Sequence, residues 1–339
     1  MKIGLAGAGR IGTMHAEVLA ANPDVTELLL YDVAAERCAE VAGRFGATPV
    51  SGLDAFLDAD LDGVVIATAT GSHADLIRRA VERDIPVFCE KPVAIDRDQT
   101  EAVRELVEAS GVPVQVGFHR RFDPGYLAAR AALARGDLGA LRRVHLVSAD
   151  PAPPAESFIR TSGGIFRDLL IHDFDILRFV TGREVTSVYA IGANRGASFF
   201  REANDVDEVT TLLVLDDETL VTAHASRYNG AGYDIRMELA GTEGTTVVGL
   251  ADNSPLSSAE PGVDFPRGPS WQLFSERFTA AYAAEIRAFI EMAGGRRESP
   301  CTVREALNAA NIAEAADLSL HEHRLVNLHE ITAPEGSRA

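Results

Sequence analysis

The stretch Lys2-Ile3-Gly4-Leu5-Ala6-Gly7-Ala8-Gly9-Arg10-Ile11-Gly12 opens the chain and decides how the first third of it folds. Residues 2–6 form a short apolar strand, the glycines follow at G-x-G-x-x-G spacing, and a helical pattern runs over 13–21. In that strand–loop–helix context each glycine has a physical task. Gly7 permits the tight turn, Gly9 lets a pyrophosphate approach the backbone, and Gly12 allows close packing of helix on strand. Arg10 and Ile11 share the loop, and the helix N-terminus offers free N–H groups to phosphates. A second strand, 27–31, ends in Asp32, about 20 residues beyond the loop, where an acidic residue accepts hydrogen bonds from a ribose 2′-hydroxyl and repels a 2′-phosphate. The cofactor expected is therefore NAD rather than NADP. Arg37, on the next helix, reads as a solvated helix charge.

The alternation continues outward. Helix 34–45, a short strand near Thr48, a helical turn at 53–57, strand 63–67, helix 73–83, strand 86–88, helix 97–110 and strand 112–117 follow in turn. Strands alternating with helices predict a doubly wound parallel sheet, with ligands bound beyond the carboxyl ends of its strands. Asp32, Thr68, Glu90-Lys91-Pro92 and Phe118-His119 all fall at those ends. His73, at the head of its helix, reads as a cap or surface residue or as a cofactor contact.

The grammar changes after Phe122. Helices at 125–135 and 165–180 flank a run of strands at 141–149, 185–191, 206–215, 219–226, 233–240 and 245–248, with a hairpin turn at Asp216-Asp217-Glu218. Such a run predicts an α+β domain built on a large, mostly antiparallel open sheet. Residues 251–269 read as a loop, two helices (272–293 and 303–320) close the chain, and the tail at 333–339 reads as frayed. The expected domains are thus an NAD-binding α/β Rossmann domain at 1–122 and a substrate and oligomerisation domain at 123–332. A sheet covered on one face must hide the other, which predicts a homo-oligomer.

Composition excludes several classes. With 339 residues, 46% of them hydrophobic and 24% charged, the chain fits two soluble domains. A net charge of −18 argues against nucleic acid or an anionic membrane surface as partner. No apolar run approaches the ~18 residues of a membrane span. The start does not read as a signal peptide, and Cys38, Cys89 and Cys301 are too scattered for a disulfide framework or a zinc site, so a cytoplasmic protein is expected.

Of 32 basic residues only Lys2 and Lys91 are lysines. Arginine is effectively always charged, whereas lysine can share or exchange a proton, so Lys91 in Cys89-Glu90-Lys91-Pro92 stands out as a functional group. The second candidate is the helix opened by Gly163-Gly164. Asp168 and His172, four apart, would share one face, with Asp175 one turn on. Two readings stand: a buried salt-linked pair that ties the helix down, or a histidine poised by a carboxylate as general acid or base. The latter gains weight from Lys91 and the glycine pair. No Cys or second His lies at ligand spacing, so no metal is expected. His321-Glu322-His323 reads as a solvated helix end.

Gly7-x-Gly9-x-x-Gly12, Glu90-Lys91-Pro92 and Gly163-Gly164 followed by Asp168-x-x-x-His172 resemble the glucose–fructose oxidoreductase/inositol dehydrogenase (Gfo/Idh/MocA) family over nearly the whole chain. The stretches from Ser162 to Asp175 and from Phe118 to Asp123 are particularly similar to its inositol 2-dehydrogenases. The resemblance implies NAD-dependent oxidation of a secondary alcohol of a cyclic polyol, myo-inositol or scyllo-inositol, or of a related sugar, in a tetramer. It implies a catalytic set of Lys91, Asp168 and His172, with Arg121, Asp150 and Tyr233 gripping other hydroxyls. It also implies cofactor contacts from the glycine loop, Asp32, Thr68, His73, Glu90 and Lys91. Tyr233-Asp234-x-Arg236 matches a substrate-side segment, with Ile235 where the family often has Gln. His119 stands where many members have Asn, and Phe158 where many have Tyr.

Overall fold

The computed structural model of the chain describes residues 1–333, so all but the first residue of the tail expected to fray lies outside the described residues. Two compact units emerge. One joins residues 1–119 to 280–307; the other joins 120–279 to the segment that starts at Asn308.

The first unit is built on strands β1 (Lys2–Ala6), β2 (Glu27–Tyr31), β3 (Thr48–Pro49), β4 (Gly63–Ile66), β5 (Val87–Glu90) and β6 (Val114–Gly117). Among the described residues they form a parallel sheet in the order β3-β2-β1-β4-β5-β6. The chain reverses its winding direction between β1 and β4, which leaves a crevice for a ligand at the carboxyl ends. Strands in such a sheet are apolar because both faces are covered, and Ile3, Leu5, Leu30, Val65 and Phe88 are fully buried. Part of that cover comes from far along the chain. Ile286, Phe289 and Ile290, on the Phe274–Ala293 helix, join the same core cluster, and a Cβ on Gly63 would come within 2.9 Å of the Phe289 ring. A single cut between 122 and 123 does not describe this arrangement. Sequence periodicity marks an apolar helix face but not which sheet it packs against.

The second unit carries β7 (Leu141–Ala149), β8 (Val185–Ala193), β9 (Glu208–Leu215), β10 (Leu220–Ser226), β11 (Asp234–Gly241), β12 (Thr245–Val248) and β13 (Val326–Asn327). Their order among the described residues is β12-β11-β7-β10-β9-β8-β13. Every neighbouring pair is antiparallel except β7 and β10, which run parallel. The hairpin between β9 and β10 turns at Asp216-Asp217-Glu218, with Glu218 in the left-handed region at φ 67°. Alternation sorts the two faces. Val209, Thr211, Leu213 and Leu215 are buried, while Ile191, Leu212 and Leu220 point the other way and are 61%, 53% and 62% exposed. Residues 251–269 contain neither helix nor strand, as the sequence suggests. Among the described residues no helix is long and apolar enough to cross a membrane.

Candidate active site

In the first unit the glycine loop follows β1 directly. Gly7 has φ 104°, and a Cβ there would lie 2.5 Å from the Ala67 carbonyl oxygen, so the loop rests on the end of β4. A Cβ on Gly12 would lie 2.0 Å from the Gly7 oxygen, which fixes how closely the Arg10–Ala20 helix packs against the loop. Gly9, the N-cap of that helix, differs: a Cβ there would meet nothing within 4 Å. Two glycines are thus demanded by packing, and the third faces open space at a helix N-terminus. That is the cradle a pyrophosphate needs, so these residues fit a dinucleotide.

Asp32 follows β2 and is nearly buried. Its Oδ2 accepts from the Ala8 N–H at 2.7 Å and its Oδ1 from the Ala34 N–H at 2.8 Å. The Arg37 guanidinium also donates to Oδ1, at 2.6 Å. Arg37 is therefore the partner of Asp32 rather than a merely solvated helix charge. Burial pushes the Asp32 carboxyl up, but the two backbone N–H groups and Arg37 outweigh it, so the group sits below its usual range.

His73 is buried, not on the surface, and it does not cap its helix. Its Nδ1 lies 2.8 Å from the Pro92 carbonyl oxygen and its Nε2 lies 3.1 Å from that of Thr68. It thereby ties the end of β4 to the Glu90-Lys91-Pro92 segment that follows β5. Thr68 also pairs its hydroxyl with Ser72 at 2.7 Å. Glu90 meets His15, a buried residue of the Arg10–Ala20 helix, at 2.6 Å. His15 lies inside an amphipathic helix with no motif of its own, so no sequence signal marks it.

In the second unit Gly163 and Gly164 take positive φ values of 82° and 87° and open the helix. Asp205 caps this start: its Oδ1 accepts from the Ile165 N–H at 3.0 Å and the Val206 N–H at 2.8 Å. The helix does not begin as an ordinary α-helix. Phe166–Leu170 forms a π-helical turn, which continues as an α-helix over Ile171–Thr181. The four-residue spacing of Asp168 and His172 straddles that change, and widened turns of this kind recur at functional sites.

Arg227 donates from Nη2 to Asp168 Oδ2 at 2.9 Å and from Nη1 to Asp150 Oδ2 at 3.1 Å. No sequence motif marks Arg227, which joins these two expected site carboxylates. Of the remaining expected site residues, Arg121 is buried and forked onto Asp175, with Nη2–Oδ1 at 2.6 Å and Nε–Oδ2 at 2.8 Å, and it faces the Phe179 ring. Tyr233, just before β11, is buried with its ring edge-on to Phe278. Burial pushes its phenol above the ordinary range, against the pull of Arg120. Among the described residues no three His, Cys, Asp or Glu side chains are grouped as metal ligands.

Residues 1–118 match the oxidoreductase family described as having an NAD-binding Rossmann fold, and residues 126–247 match the GFO/IDH/MocA C-terminal domain. The chain belongs to the Gfo/Idh/MocA oxidoreductase family. As such it is an oxidoreductase whose cofactor is NAD. A myo-inositol dehydrogenase of Streptomyces leeuwenhoekii is 37% identical, over 94% of this chain and 97% of that one. A solved myo-inositol dehydrogenase from Corynebacterium glutamicum superposes with a TM-score of 0.88 at 37% identity, covering 97% of this chain and 98% of the other. A scyllo-inositol dehydrogenase from Lactobacillus casei, solved with NAD(H) and scyllo-inositol bound, gives a TM-score of 0.87 at 28% identity, over 97% and 99% of the two chains. Against the Gfo/Idh/MocA pattern, the departures at Ile235, His119 and Phe158 fall in different settings. Ile235 is buried on β11, His119 stacks on Tyr282 with centroids 4.4 Å apart, and Phe158 is exposed.

Proposed function

We propose that this enzyme oxidises a secondary alcohol of a cyclic polyol, myo-inositol or scyllo-inositol before other sugars, to the corresponding ketone. The observation that carries the reading is likeness over nearly the full length to dehydrogenases of inositol, one of them solved with NAD(H) and scyllo-inositol bound. NAD, when bound, supplies the hydride acceptor. The glycine loop with Arg10 and Ile11, together with Asp32, Thr68, His73 and Glu90, would hold it. His172 takes the hydroxyl proton as general base. Asp168 orients His172, and Lys91 donates to the reacting oxygen and stabilises its developing negative charge. Asp150 and Tyr233 accept and donate hydrogen bonds at other hydroxyls. Arg121, forked onto Asp175, supports the site in this reading rather than gripping substrate.

The exposed apolar residues Ile191, Leu212 and Leu220 on the open sheet face support a homo-oligomer; the family resemblance points to four chains. The test of the activity is a panel of myo-inositol, scyllo-inositol and common aldoses, followed by NADH absorbance. An inositol should give the highest kcat/KM. A common aldose that surpasses both inositols by tenfold would move the enzyme to sugar oxidation, and no NADH with any of them would overturn the reading.

A further inference from the structure

The turn that carries Asp168 is held from outside its own helix. Gly163 and Gly164 bring the chain into that helix through the left-handed region, and the first N–H groups of a helix have no partner within it. The partner here comes from the connection between β8 and β9, residues 194–207. Asp205 Oδ1 accepts from the Ile165 N–H, directly ahead of the π-helical turn, and from the Val206 N–H on its own side. One oxygen thus ties the helix start to that connection. The fit is close: a Cβ on Gly164 would lie 3.3 Å from the same Oδ1.

Asp205 is itself braced. Its N–H donates to the Phe200 oxygen at 2.8 Å, and its carbonyl accepts from Asn194 Nδ2 at 2.9 Å. Asn194 Oδ1 in turn accepts from the Asp207 N–H at 3.1 Å. The wholly buried Asp207 carboxylate takes the Arg195 N–H at 3.0 Å and the Gly196 N–H at 2.6 Å. The Asp207 carbonyl holds the Arg227 N–H at 2.8 Å, and Arg227 donates to Asp168. The connection therefore reaches the Asp168 turn twice, at its start through Asp205 and at its carboxylate through Arg227. The other Asp205 oxygen, Oδ2, is buried and meets no hydrogen-bond partner among the described residues. Burial pushes this carboxyl up, against the pull of the Ile165 and Val206 N–H groups. A negative charge gains little there; the acceptor Oδ1 is what the helix start uses.

We propose that Asp205 is a positioning residue: by holding the Ile165 N–H it sets the start of the π-helical turn, and with it the place of Asp168 and His172 towards the substrate. The proposal rests on the catalytic reading above. Its effect on rate is geometric, since a misplacement of about 1 Å costs on the order of 100-fold.

The test compares wild type, Asp205→Leu and Asp205→Asn in the full-length protein, well below the Tm of each. Leucine fills the place without an acceptor; asparagine loses the charge and keeps Oδ1. In Asp205→Leu kcat should fall roughly 10- to 100-fold, with the polyol KM and the Kd for NADH as in wild type. Asparagine caps helices about as well as aspartate, so Asp205→Asn should keep kcat within about threefold of wild type. A substrate-independent arm separates this inference from the assigned activity. Amide hydrogen exchange over residues 163–172 should speed up about two- to thirtyfold in Asp205→Leu and stay near wild type in Asp205→Asn. Should Asp205→Leu not fold, Gly164→Ala, whose Cβ presses on Oδ1, should give the same lowered kcat and the same faster exchange. Wild-type kcat in the acceptor-less or Gly164→Ala variant, an Asp205→Asn that loses as much as Asp205→Leu, or unchanged exchange over 163–172 would each overturn the proposal. If wild type oxidises no polyol while the exchange arm behaves as stated, the assigned activity falls and the role of Asp205 in setting the turn stands.

Discussion

His15 Nε2 lies 2.6 Å from Glu90 Oε1, with the imidazole wholly buried. The contact joins two elements that the cofactor site needs in register. His15 lies on the helix that starts in the glycine loop, and Glu90 is the last residue of β5, directly before Lys91. Phe88 and Tyr282 hold the imidazole edge-on from two sides, with centroids 5.3 and 6.2 Å away. Across the sheet, Gly117 pairs with Glu90, and a Cβ there would come 3.2 Å from Glu90 Oε2, so the carboxylate is confined from that side too. His15→Leu should leave the carboxylate without its donor and lower the unfolding free energy by about 1–3 kcal/mol. His15→Gln, which keeps an N–H donor, should recover part of it. Urea unfolding of the three proteins measures this; a change under about 0.5 kcal/mol in His15→Leu, the ordinary surface range, would remove the pair from the account.

Lys91→Arg and His172→Ala test the assigned chemistry. An arginine keeps the charge but is a wider, planar donor that does not share its proton. Loss of a general base typically lowers turnover by about 100- to 10,000-fold. Both variants should lose turnover on that scale while NADH still quenches protein fluorescence as it does in wild type. Near-normal turnover in either removes that residue from its assigned role.

The proposed site assigns cofactor preference to Asp32, with Arg37 as its partner. The carboxylate takes two backbone N–H groups and the Arg37 guanidinium. In the proposed cofactor site the Asp32 carboxylate would repel a 2′-phosphate, while its partner Arg37 supplies a cation. Asp32→Ser removes the repulsion and releases Arg37. The ratio of kcat/KM with NADP to that with NAD should rise at least tenfold, about 1.4 kcal/mol of discrimination. The double variant with Arg37→Ala should lose most of that gain. No change in the ratio for Asp32→Ser would show that discrimination lies elsewhere.

Much of the first unit could be read from local signals, because its information is local. The glycine loop, the apolar strands and Asp32 at a strand end each specify their own surroundings. The same holds for the open sheet, since strand alternation and the turn at Asp216-Asp217-Glu218 are short-range patterns. What stayed hidden depends on pairings between distant segments. Arg227 follows β10 without a motif, and only the parallel pairing of β7 with β10 sets it beside Asp150. Ile286 and Phe289 lie on a helix whose apolar face is plain, but its destination in the core of the first unit is a tertiary fact. The π-helical turn at Phe166–Leu170 escaped because hydrophobic periodicity does not resolve one widened turn. The partners of Arg37 and His73 are hidden for a related reason: a polar residue near a helix start looks solvated until Asp32 or the Pro92 carbonyl is in view.

The open face of the seven-stranded sheet supplies the last prediction. Leu212 on β9 pairs with Tyr189 on β8 and with Thr222 on β10, at the middle of the uncovered face, with Ile191 and Leu220 on the neighbouring strands. Fully burying a leucine side chain is worth about 1.5–3 kcal/mol, so a second copy covering several such residues gains enough to associate. A carboxylate at the same place would have to be desolvated without a partner. Wild type should therefore sediment as a multiple of the 36.2 kDa chain, and Leu212→Glu should shift the distribution towards the single chain while its far-UV circular dichroism stays as in wild type. A wild type that sediments as a single chain at micromolar concentration refutes the oligomer. An unshifted Leu212→Glu places the interface away from this face.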